Sequence, residues 1–555
     1  MPARRHDLMP SVAALLLSIA MPAGASTLER GNGPEPSTLD AHKCQEVACG
    51  NVLRDLYEGL VTEDARGRLV PGIAEHWRVS ADGRTWTFRL RDGLRWSNGE
   101  ALDAPQVVAS FRRAFSPATA APFGELFDAL HNAQAVQAGR VAATALGVDA
   151  PDPRTVVFRL DRSAALPALL TLPIAFPVYL PAIARYGAQY TRPGHLVSNG
   201  AYRLSAWTPQ ANLIVERNLR FHDASNVATA RVRFHVTEDA AAELQRFAAG
   251  DLHITEAVPP QPLASLRARF GDRLRLAPYI GAFWLGITLT RPPFADGDCI
   301  ATPAYPRQMA GDGLSPSRSG CLDRGHALRR ALSLAVDRDI LTRHVTGFGE
   351  MPAFGVVPPG IEGYPSASVH WSGLTQAERE RRARDLYRAA GYGPRHPLEI
   401  ELRYNTSTPH RRLALAVAAM WRDVLGVRVR LRNEEWKVFV GNRKRRVLTQ
   451  VFRGGWIADV PDARNFLVAF GSDGPLNWTG FDDPGFRARL AKADAARSPV
   501  ARSAWLHAAE TRLLQADAII PLYFYTSKHL VDARVRGFEP NALDRHASRW
   551  LTIVP

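Results

Sequence analysis

The sequence predicts an α/β protein built from more than one domain, and two observations carry that expectation. The chain has 555 residues, more than one hydrophobic core serves, so two or three domains are expected. Stretches with strand alternation and stretches with helical periodicity also follow one another from end to end. The composition, 46% hydrophobic and 22% charged, is ordinary for a globular protein.

The first residues bear on compartment. Arg4 and Arg5 precede a short apolar run, Val12 to Met21, and Ala23-Gly24-Ala25 has the small residues of a cleavage site. This is the pattern of a signal peptide over residues 1–25, with Ser26 as the first mature residue. The run is too short to cross a bilayer. No Cys follows the cleavage site, so no lipoprotein anchor is expected. The Arg pair is also compatible with twin-arginine export, but the apolar run suits the general route better.

Four cysteines fit an oxidising compartment. Cys44 and Cys49 are close in sequence, and Cys299 and Cys321 flank a loop rich in Gly, Pro and Ser. Local pairing is the simplest of three connectivities. A zinc site would need Cys or Cys/His knuckles, and neither pair has that spacing. The formal charge of +15 admits nucleic-acid binding, docking on an acidic surface, or a general arginine bias. The one dense basic cluster, Arg443 to Arg446, comes with no nucleic-acid motif. With export, this favours the third reading and no nucleic-acid partner.

Taken in order, Ser37 to Cys49 begins with a turn and Gly50 to Leu60 reads as a helix. Val61 to Leu69 reads as a hairpin around Asp64 to Gly67. Alternation in Trp86-Thr87-Phe88-Arg89-Leu90 marks a strand, entered by a turn at Asp82-Gly83. Asp103 caps an amphipathic helix to Ala114, with Pro105 in its first turn. Further helices are expected over Ala331 to Ile340, Ala383 to Tyr392 and Arg412 to Leu425. Strands are expected over Leu398 to Tyr404 and Val427 to Arg432. Val447 to Phe452 is a hydrophobic strand that runs into Arg453, Gly454, Gly455, Trp456 and Asp459. The glycines suit a turn, or the close approach of another backbone or a ligand. An acid, a base and an indole on one loop suit a zwitterion; the bland alternative is a solvated turn beside a core Trp.

The block from Ala74 to Gly99 resembles the family 5 extracellular solute-binding proteins of ABC importers. Ala74, Glu75, Trp77, Asp82, Gly83, Trp86, Thr87, Phe88, Leu90, Arg91, Gly93, Trp96, Asn98 and Gly99 fit the family's phrase. Its three tryptophans read as scaffold. The likeness continues through Asn199 to Tyr202, Pro352 to Gly355 and Pro358 to Gly360. It is sharpest, towards the oligopeptide-binding branch with murein-peptide binders as close cousins, at Tyr404 to Ser407, His410, Glu435 to Lys437, Phe439, Gly455-Trp456, Ala458-Asp459 and Tyr525. Ala295 to Gly325 stands out as an insertion.

The resemblance implies a two-lobed periplasmic-binding-protein fold with mixed sheets and an extra accessory domain. Residues 26–57, 185–280 and 527–555 would form lobe I, 58–184 the accessory domain and 281–526 lobe III. It implies a monomeric periplasmic receptor without a cofactor, which captures a short peptide and delivers it to an inner-membrane ABC permease. Asp459 matches the acid that binds the peptide N-terminus. Arg453 and Arg443 match positions that hold the ligand or its carboxylate end, and Trp436 and Trp456 match aromatic pocket walls. Tyr525 matches a tyrosine near the ligand backbone. His410 matches a histidine used for some ligand lengths; a surface histidine at a helix start is an equal reading. Arg54 lies at a ligand-side position, where a structural ion pair is equally plausible. At Phe283 to Gly286, Gln45 and Leu172 the chain departs from the oligopeptide binder. Across Phe283 to Gly286 the resemblance implies that one pocket loses a carboxylate and gains apolar wall, and the loss of the acid suits an acidic ligand.

No H-E-x-x-H, G-x-S-x-G or G-x-x-x-x-G-K-[ST] occurs, and no metal-spaced Cys/His set. A distributed triad or acid pair needs no local motif, but nothing positive supports one. The expectation is a receptor and not an enzyme.

Overall fold

A computed structural model describes residues 27–44, 46–259, 261–300, 322–434, 436–446, 450–471, 477–496 and 498–554. The expected signal-peptide segment, Gln45, Cys321 and most of the 295–325 insertion lie outside the described residues. Three sheets organise the chain, and their strand pairing shows why the sequence alternates where it does.

The first sheet has the order Thr27–Gly31, Arg231–His235, Asn212–Arg217, Tyr202–Thr208. Its first pair is parallel and the others antiparallel. Leu28, Leu213, Val215, Val232 and Phe234 point to one buried face, where Val52, Leu53 and Leu56 of the helix Val47–Leu56 cover them. The Cys44–Cys49 disulfide closes the start of that helix.

The second sheet is antiparallel, in the order Ala74–Val79, Thr85–Leu90, Thr155–Arg159, Val148–Asp152. Gly83 turns its first hairpin at φ +71°, a backbone that a side chain disfavours. The helix Ala104–Phe115 packs across it, started by a reciprocal cap between Asp103 and Gln106. Trp96 is fully buried and donates to Gln106 Oε1 at 2.9 Å, while Trp77 and Trp86 pack on the same core. All three are scaffold, as the sequence suggested.

The third sheet is mixed and has six strands: Met351–Pro352, Ile519–Leu530, Leu274–Ile287, Val451–Ile457, Glu399–Asn405, Arg428–Glu434. The first four neighbours run antiparallel, and the last two pairings are parallel. Its centre, Leu274–Ile287, is buried on both faces: Phe283, Leu285 and Ile287 enter one core, Ile280, Ala282 and Trp284 the other. The strand pairs with Ile519–Leu530 along nearly its whole length, from Leu274–Leu530 to Gly286–Ile519. The register is irregular between Pro278 and Ala282 and again between Phe283 and Trp284. Beyond Leu530, Val531 bridges to Ile254 and Ile254 to Arg30, so the ladder reaches the first sheet. These two strands link the third sheet to the first.

Some boundaries differ from the sequence reading. The strand Val451–Ile457 continues through Gly454, Gly455 and Trp456, where a loop was expected, and the turn begins only at Ala458. The glycines serve packing: a Cβ on Gly454 would lie 2.5 Å from Trp284 Nε1, and one on Gly455 3.2 Å from Ala282 O. Gly454→Val is therefore expected to destabilise the fold by about 1–3 kcal/mol, read as a lower denaturant midpoint; an unchanged midpoint would contradict this packing. The helix expected from Arg412 starts at Thr408, because the Ser407 hydroxyl caps it. The helix expected over Ala331 to Ile340 is two pieces, Arg324–Leu334 and Arg338–Ile340. Gly286 is required by packing: an added Cβ would lie 2.3 Å from the Phe452 ring.

Candidate functional site

The centre of the six-stranded sheet gathers several of the expected residues around one ring. Phe283 stacks on Tyr523 with centroids 4.9 Å apart and meets Tyr525 edge-on at 6.4 Å. The His410 ring lies 5.6 Å away, and the Arg453 guanidinium 5.7 Å. Arg453 comes from the neighbouring strand, and its Nε donates to Asn405 Oδ1 at 2.9 Å. Burial lowers the pKa of Arg453, opposed by Tyr525 and Tyr523. Burial raises the Tyr525 phenol to about 12, with Arg453 pulling the other way. His410 is pushed down to about 4 by burial and then by Arg453, so it is neutral near pH 7. Its Nδ1 has no hydrogen-bond partner among the described residues.

Arg443 lies on the helix Trp436–Arg445 and is 5% exposed. Its guanidinium sits 3.5 Å from the Trp478 ring centroid and 5.2 Å from that of Phe439. Nε and Nη1 are buried without a hydrogen-bond partner among the described residues. Burial, then the charge of Arg453, lowers its pKa to about 9. Two buried cations thus share one region beside an aromatic wall, an arrangement suited to an anion.

Trp478 continues the aromatic wall to Trp456, at 6.5 Å between centroids. Trp456 Nε1 donates to Asn465 Oδ1 at 2.7 Å, and the other end of that amide supports the Asp459 carboxylate. Asp459 stands half-buried just beyond the strand end. Burial raises its pKa; Arg545, then the Asn465 hydrogen bond, oppose the rise. Arg54, on the helix Val47–Leu56, sits by Arg545 and Glu63, and its pKa falls to about 9 through burial and then Arg545. Trp436 opens its helix, but its side chain lies outside the described residues. The structure therefore brings Arg453, Arg443, His410 and Tyr525 into one group, and Asp459, Trp456 and Arg54 towards a second at the crossing. Sequence reasoning did not find the hub Phe283 as a site residue, nor Trp478, Asn465 or Arg545. None belongs to a local motif.

Beside the second crossing strand, His529, Asp544 and His546 come close enough to raise the question of a cation. Their hydrogen bonds argue for a different role. His529 bonds Thr255 O through Nδ1 at 2.7 Å and Asp544 Oδ1 through Nε2 at 2.8 Å, which takes two N–H donors and therefore an imidazolium. His546 bonds the same carboxylate oxygen through Nε2 at 3.1 Å, and its Nδ1 faces the Asn541 amide. Burial alone would lower His529, but Asp544 outweighs it and raises the pKa to about 9. A raised base stabilises the fold fully below its ordinary pKa of about 6.5 and loses that contribution as pH rises through 9. Thermal stability should therefore fall by about 3 kcal/mol-equivalent between neutral pH and pH 10. His529→Gln should already have lost that stability at neutral pH and show a flatter profile over the same range. Identical profiles would contradict the ion pair.

A two-lobed α/β frame with a charged, aromatic-walled site at its crossing is the build of a solute receptor. The family model for bacterial extracellular solute-binding proteins, family 5, matches residues 68–478, and the chain belongs to that family. The periplasmic oligopeptide-binding protein OppA of Escherichia coli strain K12 is 32% identical over 548 residues, covering 97% of this chain and 95% of the relative. The periplasmic murein peptide-binding protein MppA of the same strain is 32% identical over 523 residues, covering 94% and 92%. The solved unliganded open form of MppA superposes with a TM-score of 0.82 over 96% of this chain and 98% of that one. Among the described residues, no helix is long and apolar enough to cross a membrane.

Proposed function

We propose that this protein is a periplasmic receptor that captures short peptides between its lobes and hands them to an inner-membrane ABC importer. The observation that carries the reading is the pairing of a half-buried acid, Asp459, with a separate group of buried cations, Arg443 and Arg453, along one aromatic wall. A peptide's constant features are its ammonium, its carboxylate and its backbone, and these groups complement both ends. Arg453 and Asp459 are six residues apart on and just beyond an extended strand, so the two charges stand on the order of 10–20 Å apart at about 3.3 Å per residue. An extended peptide of a few residues fills that span. Asp459 takes the amino end; Arg453 and Arg443 take the carboxylate end. Trp456 and Trp436 wall the middle, Tyr525 lies along the backbone, and neutral His410 offers a hydrogen bond without charge. Arg54 holds its place beside Glu63 and acts on the ligand at longer range.

Lobe I comprises residues 26–57, 185–280 and 527–555, the accessory domain 58–184 and lobe III 281–526. The protein works as a monomer after removal of residues 1–25, and it binds its ligand without altering it. Native mass spectrometry of the purified, exported protein tests the reading: released solutes should be intact peptides with free amino ends. A released solute without a primary amine would overturn it, and cleavage of a peptide library on long incubation would overturn the non-catalytic part. The Arg443 guanidinium, whose Nε and Nη1 are buried without a hydrogen-bond partner among the described residues, favours one variant of the reading, in which the ligand carries extra carboxylates, as murein peptides do.

A further inference from the structure

The loop that carries Asp459 belongs to neither lobe alone. Ala458 is buried in the core on one face of the six-stranded sheet, whereas Val460 is buried in the core of the accessory domain. The backbone N–H of Ala458 donates to Ile280 O at 2.9 Å, and that of Ile280 donates to Ala542 O at 2.7 Å. Ile280 falls inside the register irregularity of the first crossing strand, and Ala542 in the C-terminal segment. One side chain closes this circuit. Arg545, three residues beyond Ala542, donates from Nη2 to Asp459 O at 2.6 Å. From Nη1 it donates to Glu63 Oε1 at 2.7 Å and to Thr171 Oγ1 at 3.3 Å. The Arg545 and Glu63 side chains are 11% and 8% exposed, so the bridge is shielded from water and salt.

We propose that Arg545 is the positioning residue of the amino-end subsite: its planar fork ties the Asp459 loop to Glu63 and Thr171 and holds the acid in place before any ligand arrives. A guanidinium suits the task because it presents several donors in one fixed plane, so three partners from separate segments set its orientation and it sets theirs. Arg545 bonds the carbonyl of Asp459, and the carboxylate, supported by Asn465, keeps acceptor positions for the ligand. The acid is then seated at the crossing of the lobes, where hinge motion displaces it least. The cations Arg443 and Arg453 lie farther out on the six-stranded lobe and travel with it. A peptide docks by its amino end on a fixed seat, and closure brings the cations to the other end. This rests on the peptide reading above, and the test keeps the two apart.

Hydrogen–deuterium exchange of the ligand-free protein is compared with Arg545→Gln, Arg545→Lys and, in case the first fails to fold, Glu63→Gln. The amides of residues 458–460 and 462 should exchange at least tenfold faster in Arg545→Gln and Glu63→Gln, with the crossing strands unchanged and Arg545→Lys intermediate. Calorimetry then uses trialanine and its N-acetylated form. Arg545→Gln should weaken trialanine at least tenfold, and the acetylated peptide, which cannot use the acid, less than twofold. Unchanged loop exchange, or equal weakening of both peptides, overturns the proposal. If the wild type binds neither peptide, the peptide reading fails, and exchange alone decides the role of Arg545.

Discussion

Asp459→Asn should weaken binding of a free-amino peptide by roughly 10²–10³-fold and leave the fold intact. An ammonium drawn from water between two lobes needs an opposite charge, and loss of that charge costs about 3–4 kcal/mol. The fold should survive because the Asn side chain keeps the size of the Asp and the loop is held by backbone bonds and by Val460. Burial raises the carboxyl of the empty site, and a bound ammonium draws it back to the charged form. Below the pKa of the empty site, binding must therefore expel a proton, and affinity should fall about tenfold for each further pH unit. Above that pKa, affinity is flat. Calorimetry across pH 3.5–7.5 checks both statements. An Asp459→Asn variant that binds like the wild type, or keeps the same acid limb, refutes the assignment.

Arg443→Met should do two things at once: weaken binding tenfold to a hundredfold, and raise the thermal midpoint. The wild-type guanidinium is buried against Trp478 and Phe439, with two nitrogens unsatisfied among the described residues, and Arg453 repels it. A flexible apolar chain of similar length keeps the stacking and removes a stranded charge, a change that often stabilises by about 1–4 kcal/mol. A gain in stability with a loss in affinity is the signature of a binding group held at the expense of the fold. A destabilised variant with wild-type affinity would mark Arg443 as structural. C-terminally amidated peptide should lose less than the free acid on this substitution.

Much of the frame was readable from local chemistry. The Asp103 cap and the Asp82-Gly83 hairpin stand where neighbouring residues alone put them, and both formed as expected. Local chemistry misled at Gly454 and Gly455. A glycine pair reads as a turn until its partner is known, and that partner, Trp284, is 170 residues earlier. The first turn of the Thr408–Leu425 helix, Thr-Pro-His-Arg, carries no apolar period, so only its Ser407 cap marks the start. The same division runs through the site. Asp459, Arg453 and Arg443 could be singled out because a family phrase surrounds them. Trp478 and Arg545 could not, because each acts through groups far away in the chain.

The paired strands that pass from one lobe to the other have a mechanical consequence. Two hydrogen-bonded strands resist being pulled apart or slid along each other, yet a narrow ribbon twists readily. Between Pro278 and Ala282 the rungs to the partner strand are skipped, and there Ile280 bonds the acid-bearing loop and the C-terminal segment instead. Such a ribbon should act as a torsion bar, stiff along its length and free to turn about it.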